Sequence, residues 1–277
     1  MKRLLIAGFG DIAGRALPLL EARFDVVRLG RRHGCDLDRP ESFMVTRPDA
    51  VLHLAPPQAT GTEDRRTVGL LALLDRAGAP PTRLVYVSTS GVYGDCSGSF
   101  VDEERPIAPQ TDRARRRADA ERRLVRWCAE REAALVILRV PGIYAADRLP
   151  LERLKAGLPA LHAEEDVYTN HIHAVDLAAA LEHALREDAP TGVFNACDDT
   201  RLKMGDWLDL VADRHGLPRP PRIARAAASS LVPAAALSFM TESRRLVNRR
   251  MKELLGVRLR FPTVKEGLEH EAAIGAD

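Results

Sequence analysis

Short apolar segments alternate with helical patterns along most of the chain. Each apolar segment has the length of a buried strand, and the intervening segments carry leucine and alanine at helical spacing. The predicted strands are residues 4–7, 25–29, 49–54, 83–87, 135–140 and 193–196. Strands that alternate with helices predict a parallel sheet covered by helices on both faces, which is the α/β class.

A glycine-rich turn joins the first predicted strand to the first helix. Gly8, Gly10 and Ala13 fit the pattern Gly-x-Gly-x-x-Gly/Ala. Gly8 permits a tight turn, Gly10 leaves room for a pyrophosphate, and Ala13 is small enough for the helix to pack on the sheet. The N-terminus of the helix then offers free N–H groups to the phosphates of a dinucleotide. A glycine-rich turn that holds no ligand is the alternative interpretation.

This strand–turn–helix start predicts a Rossmann-type, doubly wound parallel sheet with a small C-terminal substrate-binding lobe. We assign residues 1–145 and 171–200 to the NAD(P)-binding domain. Residues 146–170 and 201–277 form the predicted lobe. The ligand cleft is expected between the two parts, at the carboxyl ends of the strands.

The residues after the second strand bear on the choice of dinucleotide. An NAD-selective site usually has an Asp or Glu there, which binds the ribose 2′-hydroxyl. This chain has Arg31 and Arg32 instead, and two cations suit the 2′-phosphate of NADP(H). NADP(H) is therefore the favoured cofactor, and NAD(H) stays open. A solvated arginine pair is the alternative interpretation.

Composition restricts the classes of partner. The chain has 277 residues, of which 45% are hydrophobic, and a net charge of +2. It can therefore bury a core, and it favours neither a nucleic-acid surface nor a membrane. Four cysteines are scattered without a Cys-x-x-Cys pair, which indicates neither a metal site nor a disulfide framework and favours a cytoplasmic protein. The expected partner is a small-molecule substrate, and the oligomeric state stays open between monomer and homodimer.

Two charged clusters have sharper interpretations. The arginines between residues 113 and 126 suggest nucleic acid, but interleaved acids, with Asp119 one helical turn after Arg115, favour a solvated helix face with ion pairs. His171 and His173 alternate in an extended segment and point to opposite faces, which favours a structural role over a metal site. Asp176 is predicted to cap the helix that follows.

Five motifs occur in the order of one known family. They are Gly8-x-Gly10, His53-Leu54-Ala55, Val87-Ser88-Thr89-Ser90-Gly91-Val92-Tyr93-Gly94, Arg139-Val140-Pro141-Gly142-Ile143-Tyr144 and Asn170-His171-Ile172-His173-Ala174-Val175-Asp176-Leu177. With them the chain resembles the extended short-chain dehydrogenase/reductases of the NAD-dependent epimerase/dehydratase type over residues 1 to about 200. Each motif alone is unspecific, whereas the ordered set is specific.

The resemblance implies roles for individual residues. Phe9, Asp11 and Ile12 are implied to contact the pyrophosphate, and Asp36 and Leu37 to contact the adenine. Leu54, Ala55 and Pro56 are implied to lie against the adenine ribose. Pro141, Gly142 and Ile143 are implied to border the nicotinamide. Ser88 is a further implied cofactor contact. Thr89 falls at the family's catalytic Ser or Thr. Weaker candidates for substrate contacts are Tyr144, Asn170 and His171.

The chain departs from the family where the proton donor belongs. The family carries Tyr-x-x-x-Lys after the catalytic hydroxyl, and this chain has Arg113 and Arg117 at the aligned positions. A phenol with a lowered pKa passes a proton near neutral pH, whereas a guanidinium stays protonated. Arg117 would still hydrogen-bond the nicotinamide ribose, and Arg113 would stabilise a developing oxyanion. In this respect the chain is similar to atypical members of the family.

Two functions stay open. The first is an NAD(P)-dependent oxidoreductase or epimerase-like enzyme that acts on a small polar, sugar-like molecule, with Thr89 at the reacting oxygen. Its proton donor is unassigned, and Tyr144 and Tyr168 are candidates whose alternative role is packing or substrate contact. The second is a catalytically inactive module that binds NADP(H) and senses or regulates without turnover.

Overall fold

A sheet of six parallel strands forms the centre of the protein, whose computed structural model describes residues 1–233, 237 and 239–274. In chain order these strands are β1 (Lys2–Ala7), β2 (Phe24–Leu29), β3 (Ala50–His53), β4 (Arg83–Thr89), β6 (Ala134–Val140) and β11 (Gly192–Asn195). Their spatial order is β2-β1-β3-β4-β6-β11. The chain therefore reverses direction across the sheet between β1 and β3, and ligands of open α/β sheets bind at such a point. The predicted doubly wound α/β fold is confirmed.

Helices cover both faces of this sheet. The helices of the described residues are α1 (Asp11–Glu21), α2 (Arg65–Arg76), α3 (Asp112–Glu130), α4 (Leu151–Lys155), α5 (Ala174–Ala184), α6 (Met204–Arg214), α7 (Arg225–Leu231), α8 (Arg249–Glu253) and α9 (Val264–Ile274). Helices α1 and α5 pack on one face, and α2 and α3 pack on the other. Side chains of β1 alternate between the two layers: Leu4 and Ile6 face α1 and α5, whereas Leu5 faces α2. This alternation follows from the two-residue period of a strand.

Short strands build the rest of the chain onto the sheet. They are β5 (Phe100–Val101), β7 (Gly142–Tyr144), β8 (Ala160–Leu161), β9 (Tyr168–Thr169), β10 (His171–His173), β12 (Leu202–Lys203), β13 (Arg222–Ile223) and β14 (Arg245–Leu246). They form four two-stranded pairs: β7 with β10, β8 with β13, β9 with β12, and β5 with β14. A separate apolar cluster around Trp207 and Val211 forms a second core in the C-terminal part of the chain, which follows β11.

The last part of the chain returns to the central sheet. Met251, Leu255 and Val257 belong to the same apolar cluster as Leu4 and Ile6. The C-terminal part therefore packs both on its own cluster and on the Rossmann-type core. The division into a dinucleotide domain and a substrate lobe stays a prediction.

The prediction that Asp176 caps a helix is wrong. Helix α5 begins at Ala174, and the ring of His173 caps it by accepting the N–H of Val175 at 3.2 Å. Asp176 lies in the first turn, where its carboxylate accepts the backbone N–H groups of Arg260 and Phe261 at 2.6 and 3.0 Å. A distant segment therefore uses the carboxylate that the local pattern assigned to a cap.

The charged face of α3 also differs in its pairing. Arg115 pairs with Asp112 at 2.7 Å, and the buried Asp119 pairs with Arg123 at 2.7 Å. Asp119 also accepts the backbone N–H of Asp64 at 2.9 Å. Asp119 thus ties α3 to the start of α2, in place of the predicted pair with Arg115.

Candidate functional site

Two adjoining cavities open at the carboxyl ends of the sheet strands. The first, which we call the cofactor cavity, has a volume of about 930 Å³ and surrounds the glycine turn after β1. The second, which we call the cleft, has a volume of about 710 Å³ and lies beyond the end of β4. Pro56 and Arg148 line both. Each volume falls in the range of small-molecule sites, and together they suit an extended ligand and a second small molecule.

The glycine turn has the geometry that its sequence pattern predicts. Gly8 adopts φ +92°, and a Cβ there would lie 2.3 Å from the backbone nitrogen of Ala55, so only glycine fits. A Cβ at Gly10 would meet no atom within 4 Å, so its missing side chain leaves open space at the helix start. Helix α1 begins at Asp11 and has no side-chain cap. Its first N–H groups therefore suit an anion such as a pyrophosphate.

The structure brings most of the predicted cofactor residues to the walls of the cofactor cavity. Those residues are Gly8, Phe9, Gly10, Asp11, Ile12, Arg31, Arg32, Asp36, Leu37, Leu54, Ala55 and Pro56. The other predicted contacts line the cleft; they are Ser88, Pro141, Gly142 and Ile143. This distribution matches a dinucleotide that extends from one cavity into the other, and the residue roles stay predictions.

Arg31, Arg32 and Asp36 line the cofactor cavity after β2. Arg31 and Arg32 form a short 3₁₀ turn with His33 after β2, and both arginines are exposed. Neither forms an ion pair with a residue in the described ranges. Arg66 also lines this cavity, where it pairs with Asp38 at 2.8 Å and donates to the carbonyl of Pro56 at 3.0 Å. These cations give the cavity the charge that a 2′-phosphate requires.

Thr89 presents its hydroxyl to the cleft at the end of β4. It is half-buried, and its Oγ1 accepts the backbone N–H of Gly91 at 3.2 Å. Because that contact uses a lone pair, the hydroxyl hydrogen stays available to a ligand. The position is suited to donating a hydrogen bond to a carbonyl oxygen.

Arg113 and Arg117 both line the cleft, one turn apart on α3. Arg117 turns toward the sheet and donates from Nη1 to the carbonyl of Val87 at 3.0 Å and to the hydroxyl of Tyr86 at 3.2 Å. Arg113 is exposed to the cleft, and its guanidinium lies 4.6 Å from the ring centre of Phe239. The two arginines therefore differ: one is anchored to the protein, and the other faces the cleft.

The tyrosines near the cleft differ in burial and in contacts. Burial raises the pKa of Tyr86 and of Tyr93 to about 12, so both stay protonated at neutral pH. Tyr144 is 2% exposed, and its hydroxyl donates to the carbonyl of Thr263 at 3.3 Å. Tyr168 lines the cleft and is half-buried, with the guanidinium of Arg245 4.7 Å from its ring centre.

Asn170 and His171 differ in what they leave free for a ligand. The amide of Asn170 donates to the carbonyl of Arg244 at 2.9 Å and accepts the N–H of Leu246 at 2.8 Å, so it holds that segment in place. His171 is buried against Trp207, with ring centres 4.6 Å apart. Burial lowers the pKa of His171 to about 3, so its ring is neutral. Among the described residues, its Nδ1 has no hydrogen-bond partner.

A buried ion pair engages the hydroxyl of Ser88. Its hydroxyl donates to Glu121 at 2.5 Å, and Glu121 pairs with Arg139 at 2.8 Å. Both charged side chains are less than 8% exposed, and the Arg139 guanidinium lies 4.7 Å from the ring centre of Tyr93. The hydroxyl of Ser88 is therefore engaged within the protein, and this network joins the end of β4 to α3 and β6.

Comparison with known proteins identifies the family. The sequence profile described as "NAD dependent epimerase/dehydratase family" matches residues 18–197, which is more than half of the chain. The chain belongs to this family. The match begins after the glycine turn, so the geometry of Gly8 and Gly10 is independent support. The resemblance drawn from the motifs is thereby confirmed.

Two characterised relatives of this epimerase/dehydratase protein are named as reductases. One is a 3-diazoavenalumate denitrifying reductase from a Streptomyces species, 29% identical over 81% of this chain and 80% of the relative. The other is a GDP-6-deoxy-D-mannose reductase from Pseudomonas aeruginosa, 26% identical over 76% of this chain and 80% of the relative.

Solved structures share the fold along the whole chain. A functionally unknown conserved protein from Silicibacter pomeroyi is 28% identical, with a TM-score of 0.82 and full coverage of both chains. The structure of RMD from Pseudomonas aeruginosa, complexed with NADPH, is 20% identical, with a TM-score of 0.73, and covers 99% of this chain and 98% of that one. The second likeness shows the fold alone.

Several wall residues of this family member could not be found from the sequence. In the cofactor cavity they are Gly30, Cys35, Arg66 and Arg148. In the cleft they include Arg116, Met204, Trp207, Phe239, Glu242 and Arg244. Gly30, Cys35 and Arg116 adjoin residues that the sequence did predict. Arg66, Trp207, Phe239, Glu242 and Arg244 come from segments outside the family motifs, and no local pattern marks them.

Two further observations concern membranes and metals. No helix among the described residues is both long and apolar enough to cross a membrane. The same part of the chain contains no group of three or more His, Cys, Asp or Glu side chains arranged to hold a metal ion. The four cysteines are buried and free.

Proposed function

We propose that this protein is an NADP(H)-dependent oxidoreductase of the reductase type, acting on a small polar carbonyl compound. The observation that carries the proposal is the continuity of the two cavities through Pro56 and Arg148. A phosphate-binding turn lies at one end and the hydroxyl of Thr89 at the other. A nicotinamide dinucleotide bound along both cavities would have its pyrophosphate at this turn and its reactive ring in the cleft.

NADP(H) fits the residues present. The open space at Gly10 and the uncapped start of α1 suit the pyrophosphate, and Arg31 and Arg32 suit the 2′-phosphate. When bound, the dinucleotide supplies or accepts a hydride at its nicotinamide ring. Pro141, Gly142 and Ile143 form the cleft wall that would border that ring.

Thr89 is the residue proposed to act on the reacting oxygen. Its hydroxyl is held by the Gly91 N–H and keeps its hydrogen for a ligand. A hydrogen bond to an oxygen that gains negative charge is stronger in the transition state than before it. Arg113 stays protonated and contributes through charge alone. Arg117, which is anchored to Val87, orders the cleft floor near the nicotinamide ribose.

The relatives support a reductase and a substrate with polar groups. Both characterised relatives are named reductases, and one name includes a deoxy sugar attached to GDP. A small sugar-like carbonyl compound is therefore our proposed substrate class. We also propose a cytoplasmic location, which the four free, buried cysteines support.

A catalytically inactive NADP(H)-binding module is the second candidate. It is favoured by Arg113 and Arg117 at the positions of the family's Tyr and Lys. The two candidates differ in turnover and share the cofactor.

Single-turnover measurements separate these candidates. Purified protein saturated with NADPH is mixed with a panel of sugar-derived and simple aldehydes and ketones, and the nicotinamide absorbance band is followed. We expect its decay with at least one compound, and a slower decay in Thr89→Val than in Thr89→Ser, which keeps the hydroxyl. A cofactor that binds tightly but stays reduced with every compound would favour the inactive module.

A further inference from the structure

The cleft is strongly cationic. Five arginines line it, and Glu242 is the acidic side chain among its described wall residues. The arginines are Arg113, Arg116, Arg117, Arg148 and Arg244. A neutral sugar-like molecule would displace water from these charges without forming an ion pair with them, so their desolvation would be poorly compensated.

Four of these arginines are already engaged with the protein. Arg244 pairs with Glu242 and Arg148 pairs with Asp11, each at 2.7 Å. Arg116 donates to the carbonyl of Gly61 at 2.6 Å. Arg117 donates to the carbonyl of Val87, as described above. Each of the four therefore has an acceptor within the chain.

Arg113 differs from them. Among the described residues it has no hydrogen-bond acceptor and no carboxylate at ion-pair distance. Its guanidinium lies over the ring of Phe239 and is open to the cleft. Glu242 attracts it, but Glu242 is itself paired with Arg244 at 2.7 Å.

The surroundings of Arg113 disfavour its charge when the cleft holds no anion. Desolvation by the cleft walls lowers the pKa of Arg113, and the neighbouring cations Arg117, Arg244 and Arg116 lower it further, against the attraction of Glu242. An anion placed at this guanidinium would relieve that repulsion.

Arg113 lines the same cleft as Thr89, the residue proposed at the reacting centre. A Cβ built at Gly91 would lie 3.6 Å from Thr89 Oγ1 and 3.8 Å from the Cβ of Ala114. The first turn of α3 therefore borders the same part of the cleft as Thr89. A molecule that fills the cleft would therefore meet both side chains.

We infer that the substrate carries a permanent anionic group, a carboxylate or a phosphate, and that Arg113 binds it. This inference rests on the proposed function, since it names the substrate class of that same cleft. A planar guanidinium forms two parallel hydrogen bonds with either group. Arg113 thereby replaces the family's proton donor with an anchor for the substrate.

Calorimetry with three probes tests this inference. Cinnamate, phenyl phosphate and cinnamamide are titrated into the protein saturated with NADP⁺; their aromatic rings suit the wall of Tyr168, Trp207 and Phe239. We expect at least one anion to bind about tenfold more tightly than the neutral amide, as a charge-assisted hydrogen bond predicts. Whichever anion binds better distinguishes a carboxylate from a phosphate substrate.

Variants on the same helix supply the control. Arg113→Leu should abolish the preference for the anion, and Arg113→Lys should keep part of it. Arg115→Leu should keep all of it, because Arg115 is exposed and pairs with Asp112. Equal binding of anions and amide by the unchanged protein, or an equal loss in Arg113→Leu and Arg115→Leu, would overturn the inference.

Cofactor binding is measured separately in each variant. A protein that binds NADP⁺ but does not prefer anions refutes the anion site and leaves the proposed function standing. A protein that binds neither NADP⁺ nor NADPH refutes the proposed function itself. Arg113→Leu should still bind NADP⁺, since the glycine turn, Arg31 and Arg32 lie in the cofactor cavity, which Arg113 does not line.

Discussion

Arg148 donates from Nη1 to the carboxylate of Asp11 at 2.7 Å, and both residues line the cofactor cavity at the N-terminus of α1. Arg15 adds to it by pairing with Asp11 at 2.9 Å and with Asp147 at 2.5 Å. The segment after β7, which reaches the cleft, is thus joined to the first turn of α1. A pyrophosphate at this helix end would compete with Asp11 for the guanidinium of Arg148.

We predict that Arg148→Met weakens NADPH binding by about tenfold, because a charge-assisted contact to the phosphates is lost. Asp11→Asn should bind NADPH at least as tightly as the unchanged protein, because Arg148 is then released from its carboxylate. Fluorescence titration with NADPH measures both. Lys155→Met, which loses an exposed pair with Glu152 outside both cavities, is the matched control. An Arg148→Met variant with unchanged affinity would show that this arginine serves only the ion pair.

The two glycines of the first turn make opposite predictions. Gly10→Ala should fold normally, with a free energy of unfolding within about 0.5 kcal/mol of the unchanged protein, since its new methyl group meets no protein atom within 4 Å. The same methyl group enters the cofactor cavity, so NADPH affinity should fall by about tenfold or more. Gly8→Ala should lose about 3 kcal/mol or more of stability, because its Cβ would lie 2.3 Å from the backbone of Ala55.

Urea unfolding and NADPH titration of both variants check this pair. If Gly10→Ala kept full NADPH affinity, the pyrophosphate would not lie at this turn. If Gly8→Ala were as stable as Gly10→Ala, Gly8 would not approach the backbone of Ala55 as closely as the structure shows.

The sheet, the glycine turn and the position of Thr89 could be predicted from the sequence because they depend on short-range patterns. Strand length, the spacing of Gly8 and Gly10, and the hydroxyl of Thr89 after a buried strand are all local features. Parallel strands then bring their carboxyl ends to one edge, so residues from separate motifs meet without further information. The residues that the family resemblance implied as cofactor contacts line two adjoining cavities, and their roles stay predictions.

The features that the sequence did not predict depend on contacts between distant segments. Arg148 meets Asp11 across 137 positions, and Arg66 meets Asp38 across 28. The cap prediction at Asp176 failed for the same reason, since a segment 84 positions later takes its carboxylate. Which arginines of α3 face the cleft likewise depends on how that helix packs on β4, which its charge pattern does not specify.

The cations after β2 should decide the preference between the two dinucleotides. We predict that the double variant Arg31→Ala, Arg32→Ala loses roughly 10- to 100-fold in NADPH affinity, as expected for charge-assisted contacts to a phosphate. Its NADH affinity should change by less than about threefold, because NADH lacks that phosphate. Equilibrium titration with both nucleotides measures the ratio. Arg47→Ala, an exposed arginine away from the cavity, is the control. A protein that already prefers NADH would refute the NADP(H) assignment.

Asp198 should make the stability of the fold depend on pH. Burial raises the pKa of Asp198 to about 8, and the carboxylates of Asp199 and Asp176 add to this shift. The folded side chain therefore keeps its proton at pH values where the unfolded chain, with an ordinary pKa near 3.8, has lost it. The unfolded state then binds fewer protons, so stability falls as pH rises from about 4 to about 8.

Asp198→Asn removes this titration and keeps the shape of the neutral side chain. Its oxygen can still accept the backbone N–H of Thr200, which Asp198 Oδ1 accepts at 2.9 Å. We expect the variant to gain stability relative to the unchanged protein as pH rises, with a larger gain at pH 8 than at pH 5. Urea unfolding at both pH values measures the difference, and Asp188→Asn, at an exposed position, is the control. The same gain at both pH values would mean that Asp198 is already ionised in the folded protein, and its burial would then have to be compensated by charges elsewhere in the fold.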